Sequence, residues 1–257
     1  MNNDKFQGEV AIVTGAGQGI GFEIARRLSA SGASVLLNDV DESLAKTASE
    51  KIIEDGNHCI AIGGDASDVD FIQHMVDEAV KQFGKISLGV ANAGLSLYGN
   101  FFDYTKEDFQ KAVNLNLQGS FFLAQRASRQ MIKQRTRGSI LFMSSVVGHQ
   151  ALKDLAAYAM TKAGLEMLAK NLVADLAKYG ITSNAIAPGA TLTERTLGFE
   201  DYEAEWSRLT PTGRAATVTD IANVALFLLS KEASHITGQT IIVDGGWTSI
   251  SPAPPNR

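Results

Sequence analysis

Short apolar runs alternate with longer stretches of helical period along the whole chain. Between the runs, apolar residues recur every three or four positions, as at Ile20, Ile24 and Leu28, which is the spacing of one helix face. Strands that alternate with helices in this way predict βαβ units and a parallel sheet. We therefore predict a doubly wound α/β fold with a seven-stranded parallel sheet and helices on both faces. The predicted strands are residues 10–14, 34–38, 59–63, 87–91, 139–143, 182–187 and 240–243.

The chain shows no internal repeat and no change of composition that would mark a domain boundary. Residues 1–257 are therefore predicted to form a single domain, with a proline-rich tail at residues 251–257. In a doubly wound sheet, ligands bind beyond the carboxyl ends of the strands, where the direction of winding reverses. We expect binding and catalytic residues in the loops that follow the predicted strands.

Residues 14–21 read TGAGQGIG and join the first predicted strand to the first predicted helix. Gly15 allows a tight turn out of the strand, Gly19 lets the main chain approach a pyrophosphate, and Gly21 permits close packing of helix on strand. Free N–H groups at the start of the helix favour an anion. The pattern predicts a Rossmann-like dinucleotide site that includes Gln18 and Ile20. The alternative is a glycine-rich turn without a ligand.

Asp39 follows the second predicted strand, eighteen residues after Gly21. A carboxylate at this place would accept hydrogen bonds from the adenosine ribose hydroxyls and would repel a 2′-phosphate. Neither Gln18 nor Val40 supplies a cation to neutralise such a phosphate. We therefore predict NAD rather than NADP as the cofactor. A solvated loop acid is the alternative interpretation of Asp39.

Six further motifs accompany the spacing TGxxxGxG in order along the chain. With them the chain resembles the short-chain dehydrogenase/reductase superfamily over residues 6 to about 247. Ala91 is a small departure, because family members often carry Asn before the NAG motif. The motifs are Asn92-Ala93-Gly94, Asn116 in NLQGSFF, Ser144-Ser145, Tyr158 to Lys162 in YAMTK, Pro188-Gly189 and Asp244-Gly245-Gly246.

This resemblance implies which residues surround each part of the cofactor. Asp65 and Ala66 should flank the adenine, and Asn92, Ala93 and Gly94 should lie on the adenosine ribose side. The nicotinamide should lie against the segment from Pro188 to Thr193. Within that segment the contacts are assigned to Pro188, Gly189, Thr191 and Thr193. The resemblance also implies a homotetramer in which the helix that carries Tyr158 forms a dimer surface.

Tyr158 and Lys162 are four residues apart in a helical segment, so both side chains project from one face. Oxidation of an alcohol needs a base, but a free tyrosine with a pKa of about 10 is mostly protonated at neutral pH. An ammonium group about 4 Å away is worth about 4 kcal/mol at an effective dielectric of about 20, or roughly three pKa units. We therefore expect Lys162 to lower the pKa of Tyr158. By the resemblance, Lys162 also holds the nicotinamide ribose.

The resemblance assigns two more catalytic residues. The Ser145 hydroxyl should bind the substrate oxygen and stabilise developing negative charge, with the neighbouring Ser144 as the structural alternative. Asn116 should hold a water that links Lys162 to solvent as a proton relay. The alternative for Asn116 is a buried amide that only satisfies main-chain groups.

Residues 191–211 have helical spacing at Phe199, Tyr202 and Trp206 and resemble the mobile lid of the family. The aromatic stripe is expected to close over substrate and expel water. An amphipathic helix packed on the body or on a neighbouring subunit is an equal alternative. Polar groups are expected at the mouth of the pocket, and Ser96, His149, Gln150 and Trp206 are the predicted substrate contacts. Tyr98 and Glu194 are further polar candidates there.

Several hydroxyl-binding groups favour a sugar or polyol as substrate, so the leading hypothesis is a sugar dehydrogenase that resembles the glucose 1-dehydrogenase branch. The closest rival is a 3-oxoacyl-thioester reductase, which usually takes NADPH and meets an acidic carrier protein through arginines. Asp39 opposes the first of these properties, and Arg126 and Arg129 leave the second open. A nucleotide-binding regulator without turnover is a remote third hypothesis.

Composition narrows the setting in which this chemistry takes place. The 257 residues carry a formal net charge of −5, which argues against nucleic acid as a partner. Cys59 is the only cysteine and cannot form an internal disulfide, which favours a reducing, cytoplasmic compartment. The sequence shows neither a signal-peptide pattern nor eighteen consecutive apolar residues, so no membrane association is expected. The four histidines lack metal-ligand spacing, and no metal is predicted.

Overall fold

The computed structural model describes residues 5–251 and contains the predicted parallel sheet. The strand order is β3-β2-β1-β4-β5-β6-β9, and every pair of neighbours is parallel. Strands β7 and β8 form a separate two-stranded sheet that the sequence did not predict. The strands are β1 (Val10–Val13), β2 (Ser34–Asp39), β3 (Cys59–Gly63), β4 (Leu88–Ala91), β5 (Gly138–Met143), β6 (Ile181–Pro188), β7 (Thr191–Leu192), β8 (Ala216–Thr217) and β9 (Thr240–Val243).

The described part of the chain contains eight α-helices, and six of them pack on the two faces of this sheet. A π-helical segment, Asn114–Gly119, joins α4 directly to α5. The helices are α1 (Gly19–Ala30), α2 (Glu42–Glu54), α3 (Val69–Phe83), α4 (Lys106–Val113), α5 (Ser120–Gln134), α6 (Ala156–Leu176), α7 (Tyr202–Leu209) and α8 (Val218–Leu229).

Alternating residues of the strands build one core on each face. On one face, Val13 and Leu37 pack with Ile24 of α1 and Leu228 of α8. On the other face, Ile12 packs among residues of α3, α5 and α6. Side chains that follow each other in a strand point to opposite faces, so a strand buried on both sides reads as a continuous apolar run. All seven predicted strands coincide with observed ones to within one residue at either end.

The winding of the chain reverses between β1 and β4. Strand β1 pairs with β2 on one side and with β4 on the other, so the chain lays down β2 and β3 in one direction and then crosses back. A crevice opens beyond the carboxyl ends of strands at such a reversal. The predicted doubly wound, single-domain Rossmann-like fold is therefore confirmed.

The starts of several helices are capped by side chains close by in the sequence, whereas the start of α1 has no such local cap. Asp41 accepts hydrogen bonds from two amides of α2, Asp68 does the same for α3, and Thr217 forms a reciprocal capping pair with Asp220 on α8. Gln18 precedes α1 without such a bond, and the first turn of α1 holds no acidic residue. The amides at the start of α1 thus face the crevice uncapped by any neighbouring residue in the sequence.

Two further points concern the chain as a whole. No helix among residues 5–251 is long and apolar enough to cross a bilayer. Of the tail predicted at residues 251–257, only Ser251 belongs to the described residues, and the rest lies outside them.

Candidate functional site

One cleft of about 690 Å³ lies beyond the carboxyl ends of the strands. Every residue that the sequence assigned to the cofactor lines this cleft. It is also lined by Ser145 and by the two predicted substrate residues Ser96 and Trp206. The cofactor set is Gly15, Gln18, Gly19, Ile20, Gly21, Asp39, Asp65, Ala66, Asn92, Ala93, Gly94, Tyr158, Lys162, Pro188, Gly189, Thr191 and Thr193.

The glycine loop is held tightly against the end of β4. The Asn92 amide nitrogen donates to the main-chain oxygens of Thr14 and Gly15, at 2.9 and 2.8 Å. A Cβ added at Gly21 would lie 2.5 Å from the Gly15 oxygen, and one at Gly15 would lie 2.7 Å from Ala93 Cα. Gly15 also has a φ of +60°, in the left-handed region that favours glycine. The glycines are therefore required by close packing in the loop itself.

The main-chain amides of the glycine loop already bind carboxylates. Gly19, the first residue of α1, donates its N–H to Glu194 Oε2 at 3.0 Å. Gly17 donates to Asp39 Oδ2, also at 3.0 Å, and Asp41 donates to the other Asp39 oxygen at 3.2 Å. Amides at the start of a helix carry partial positive charge and bind anions. The donors of this loop thus fit a pyrophosphate, and Asp39 lies beside them as predicted for a ribose contact.

Tyr158 and Lys162 lie on one face of α6 and both line the cleft. Lys162 is only 3% exposed, its Nζ donates to the Met143 carbonyl at 2.6 Å, and it lies 5.3 Å from the centre of the Tyr158 ring. Burial lowers the pKa of Lys162 to about 8. The predicted pair is therefore brought together, with the ammonium held by the end of β5.

The expected lowering of the Tyr158 pKa is wrong for the structure. Tyr158 keeps part of its surface open to the cleft, but protein surrounds the rest of it, and this burial raises the pKa of its hydroxyl to about 12. A hydrogen bond with Ser145 and the positive charge of Arg195 both act in the opposite direction. The Lys162 ammonium donates to the Met143 carbonyl, and burial disfavours its charge.

Of the two neighbouring serines, Ser145 reaches Tyr158. Ser145 and Tyr158 both line the cleft, and the Ser145 hydroxyl lies near enough to lower the pKa of Tyr158. The Ser144 hydroxyl is buried and contacts Glu166 and the Lys162 carbonyl instead. The arrangement brings together the serine and the tyrosine that the sequence selected.

Asn116 is fully buried in the π-helical segment and does not line the cleft. Its amide oxygen accepts from Leu95 N at 2.8 Å, and its amide nitrogen donates to Leu95 O and to Thr161 Oγ1 at 3.0 and 2.9 Å. These contacts are those of the alternative interpretation, in which the amide satisfies main-chain groups. The relay role of Asn116 stays a prediction.

Two of the predicted substrate residues lie away from the cleft. After Ser145 the chain turns through a short 3-10 segment, Val146–Gly148, which folds His149 back onto α6. There His149 Nε2 lies 3.1 Å from Glu166 Oε1. Gln150 is exposed and absent from the cleft wall. His149 and Gln150 are therefore not part of the cleft wall, and their assignment to the substrate stays a prediction.

Residues 193–209 cross the open side of the cleft. Glu194 contacts Gly19 on one wall, and Arg195 donates to the Ser96 carbonyl on the other at 3.2 Å. The aromatic stripe predicted for this segment also contacts a ring outside it, because Trp206 packs edge-to-face on Trp247 with ring centres 5.5 Å apart. The mobility expected of this segment stays a prediction.

Sequence reasoning missed four lining residues on the substrate side: Arg195, Trp247, Leu152 and Leu155. Trp247 directly follows the Asp244-Gly245-Gly246 motif, and this position after a recognised loop could have identified it. Nothing in the local pattern distinguishes the other three. Among the described residues, no cluster of His, Cys, Asp and Glu could hold a metal ion.

Known proteins with similar sequences identify the family of this chain. A family model described as enoyl-(acyl carrier protein) reductase matches residues 15–248. The 3-oxoacyl-(acyl-carrier-protein) reductase FabG of Staphylococcus aureus is 38% identical over 239 residues, which cover 92% of this chain and 96% of that protein. The chain belongs to the short-chain dehydrogenase/reductase family.

Two other relatives show the breadth of this family. The L-rhamnose-1-dehydrogenase of Scheffersomyces stipitis is 36% identical over 246 residues, covering 93% of this chain and 95% of that protein. A short-chain type dehydrogenase/reductase from Mycobacterium marinum has a solved structure that matches with a TM-score of 0.91 and 30% identity, over 96% of this chain and 99% of that one. Short-chain dehydrogenases/reductases use nicotinamide cofactors, and this member is an oxidoreductase that acts on CH–OH or carbonyl groups.

Proposed function

We propose that the chain is an NAD-dependent dehydrogenase that oxidises a CH–OH group of a sugar or polyol. The observation that carries the proposal is that one cleft contains both the residues suited to a dinucleotide and the residues suited to proton transfer. The anion-binding glycine loop with Asp39 lies at one end, and Ser145, Tyr158 and Lys162 lie at the other. The nicotinamide cofactor supplies the acceptor for the hydride. All other steps belong to side chains of this chain.

Tyr158 is the general base that takes the proton of the substrate hydroxyl. Ser145, which lines the cleft beside Tyr158, donates to the substrate oxygen as negative charge develops on it. Lys162, anchored by the Met143 carbonyl, keeps a positive charge beside the tyrosine. The segment of residues 193–209 excludes water from the reacting atoms.

The preference for NAD rests on the charges around Asp39. Among residues 5–251, the cationic side chains in the cleft wall are Lys162 and Arg195, which lie on the catalytic and substrate side. Around Asp39 the wall is formed by Asn38, Val40 and the glycine loop. A 2′-phosphate at this end would face a carboxylate without a compensating cation.

The preference for a sugar or polyol rests on the wall opposite Tyr158. Ser96, Tyr98 and Tyr202 offer hydroxyl groups there, and Trp206 and Trp247 offer flat aromatic surface. Hydroxyl groups and aromatic faces together suit a compact, polyhydroxylated ring. The relation to an L-rhamnose-1-dehydrogenase supports this choice.

A second candidate is reduction of a 3-oxoacyl thioester. It is favoured by the relation to a 3-oxoacyl-(acyl-carrier-protein) reductase and by the apolar wall of Leu152, Leu155 and Phe199, which suits an acyl chain. Asp39 disfavours the NADPH that such reductases usually take. Cofactor preference therefore separates the two candidates.

The test is formation of NADH over a panel of sugars, polyols and 3-hydroxyacyl thioesters, with NADP offered in parallel. We expect turnover with NAD on a sugar or polyol and a loss of at least about 100-fold in Tyr158→Phe, since general base catalysis contributes about 10² to 10⁴. Tyr179→Phe is the matched control, because Tyr179 lies outside the cleft wall. A Tyr158→Phe variant with wild-type turnover would overturn the mechanism, and strong preference for NADPH would favour the second candidate.

We also propose a cytoplasmic homotetramer. Met160 and Met167 of α6 and Phe121 of α5 are large apolar side chains exposed on neighbouring helices, as expected of a covered surface. The unpaired thiol of Cys59 suits a reducing compartment. Light scattering coupled to size exclusion tests the assembly, and a monomeric mass at micromolar concentration would contradict it.

A further inference from the structure

The carboxylate of Glu166 contacts the Ser145 loop from the side that faces away from the cleft. Glu166 Oε1 lies 2.6 Å from Ser144 Oγ and 3.1 Å from His149 Nε2. A Cβ added at Gly148 would lie 2.6 Å from the same oxygen. The loop of residues 144–149 is thus in contact with one carboxylate oxygen at its beginning and at its end.

Ser144 gives its proton to Glu166 rather than to the main chain. Its hydroxyl has one proton and two acceptors within reach, the Glu166 carboxylate at 2.6 Å and the Lys162 carbonyl at 3.0 Å. The shorter contact is with an ionised group, and such hydrogen bonds are the stronger ones. Glu166 is also largely shielded from water, with 14% of its side chain exposed.

Glu166 belongs to the same helix as the proposed base. Tyr158, Lys162 and Glu166 follow each other on α6 at intervals of four, so their side chains are stacked along one face. The Ser145 loop lies across this face, because Ser144 and His149 contact Glu166 while Ser145 lines the cleft with Tyr158. The loop that carries the Ser145 hydroxyl is therefore held by a side chain that does not itself line the cleft.

We propose that Glu166 is a positioning residue that holds the Ser145 hydroxyl against Tyr158, with His149 as its partner on the loop. This role replaces the substrate contact that the sequence suggested for His149. It rests on the proposed function, in which Ser145 and Tyr158 act on the substrate oxygen. Glu166 touches neither substrate nor cofactor and acts through the loop alone.

Displacement of a catalytic group by about 1 Å costs about 100-fold in rate, so release of the loop should reduce kcat. We expect Glu166→Ala to lower kcat by about 10- to 100-fold, with KM and the dissociation constant for NADH unchanged. Glu166→Gln retains an oxygen acceptor for Ser144 and should recover kcat to within about threefold of the wild-type value. Lys170→Ala, an exposed change on the same helix, is the matched control.

Ser144→Ala removes the hydrogen bond between Ser144 and Glu166 by changing its partner on the loop. If both changes act through one hydrogen bond, the double variant with Glu166→Ala should be no slower than the slower single variant, whereas independent effects would multiply. Hydrogen exchange gives a readout that needs no substrate. Amides of residues 144–149 should exchange faster in Glu166→Ala, and those of the glycine loop should not.

Three results would overturn the proposal: wild-type kcat in Glu166→Ala, multiplying losses in the double variant, or a Glu166→Gln variant as slow as Glu166→Ala. Unchanged exchange of residues 144–149 would overturn it as well. The proposed function fails separately, when Tyr158→Phe keeps wild-type turnover. An inactive Tyr158→Phe beside a fully active Glu166→Ala would therefore reject only the role of Glu166.

Discussion

The buried lysine of the cleft makes a quantitative prediction about stability. Lys162 is 3% exposed, and its burial lowers the pKa of its ammonium group from 10.5 to about 8. The charged form is therefore disfavoured in the folded chain relative to the unfolded one. Lys162→Met keeps most of the volume of the side chain and removes the charge. The difference in the free energy of unfolding between this variant and the wild-type protein therefore reports the cost of burying the ammonium group.

The direction in which the free energy of unfolding changes with pH follows from how many protons the folded and unfolded chains bind. Between about pH 8 and pH 10.5 the unfolded chain keeps the lysine proton while the folded chain has released it, so the free energy of unfolding rises with pH in this window. Below pH 8 both states are protonated, and the cost of burying the charge is present in full. From these two pKa values, the wild-type protein should gain about 2 kcal/mol relative to Lys162→Met between pH 7 and pH 9.5.

Urea unfolding at several pH values, on protein freed of nucleotide, measures this difference. Effects of pH on the rest of the chain cancel because both proteins share them. Lys170→Met is the control, since it removes an exposed lysine from the same helix, and its difference from the wild-type protein should not change with pH. A difference between wild type and Lys162→Met that is flat from pH 7 to pH 9.5 would refute the buried, destabilising charge.

Three further predictions concern the walls of the cleft. Asp39→Ala removes the acceptor of the Gly17 amide and the charge that disfavours a 2′-phosphate, so fluorescence titration should show weaker NADH binding and a smaller preference over NADPH; an unchanged ratio would contradict this. Gly21→Ala places a Cβ 2.5 Å from the Gly15 oxygen. It should lower the free energy of unfolding by about 1 to 3 kcal/mol and should also weaken NADH binding, whereas a tolerated surface substitution would change neither. Arg195→Met removes the bond to Ser96, so exchange of residues 193–209 should rise while the melting temperature stays constant; protection equal to wild type would show that this bond does not hold the segment.

The fold was predictable from sequence because its signals are local. The central strands β1, β4 and β5 are short runs buried almost throughout, and their ends coincide with the ends of those runs to within one residue. Strands β7 and β8 were missed because each has only two residues and pairs across a long connection. The pairing of Thr191 with Ala216 leaves no periodic pattern in either segment.

The cleft residues were predictable where one motif supplies several of them. Gly15, Gly19 and Gly21 belong to one turn, and Tyr158 and Lys162 to one helix, so a fixed spacing reveals each group. The substrate wall is assembled from the ends of distant segments, as when Trp206 meets Trp247. His149 shows the same limit of local reasoning. Closeness in sequence to Ser145 suggested the cleft wall, whereas after the turn of Val146–Gly148 the His149 side chain contacts Glu166, which no local pattern predicts.

The ionisation of Tyr158 depends on three segments that no local pattern connects. Burial holds the pKa of its hydroxyl at about 12, and the difference from about 10 is worth about 3 kcal/mol against forming the base. The two contributions that oppose burial come from the β5 loop, through Ser145, and from the segment over the cleft, through Arg195. Because Arg195 is also bonded to the Ser96 carbonyl, the segment over the cleft holds positive charge near the tyrosine. A residue that no motif marks therefore contributes to the ionisation of the proposed base.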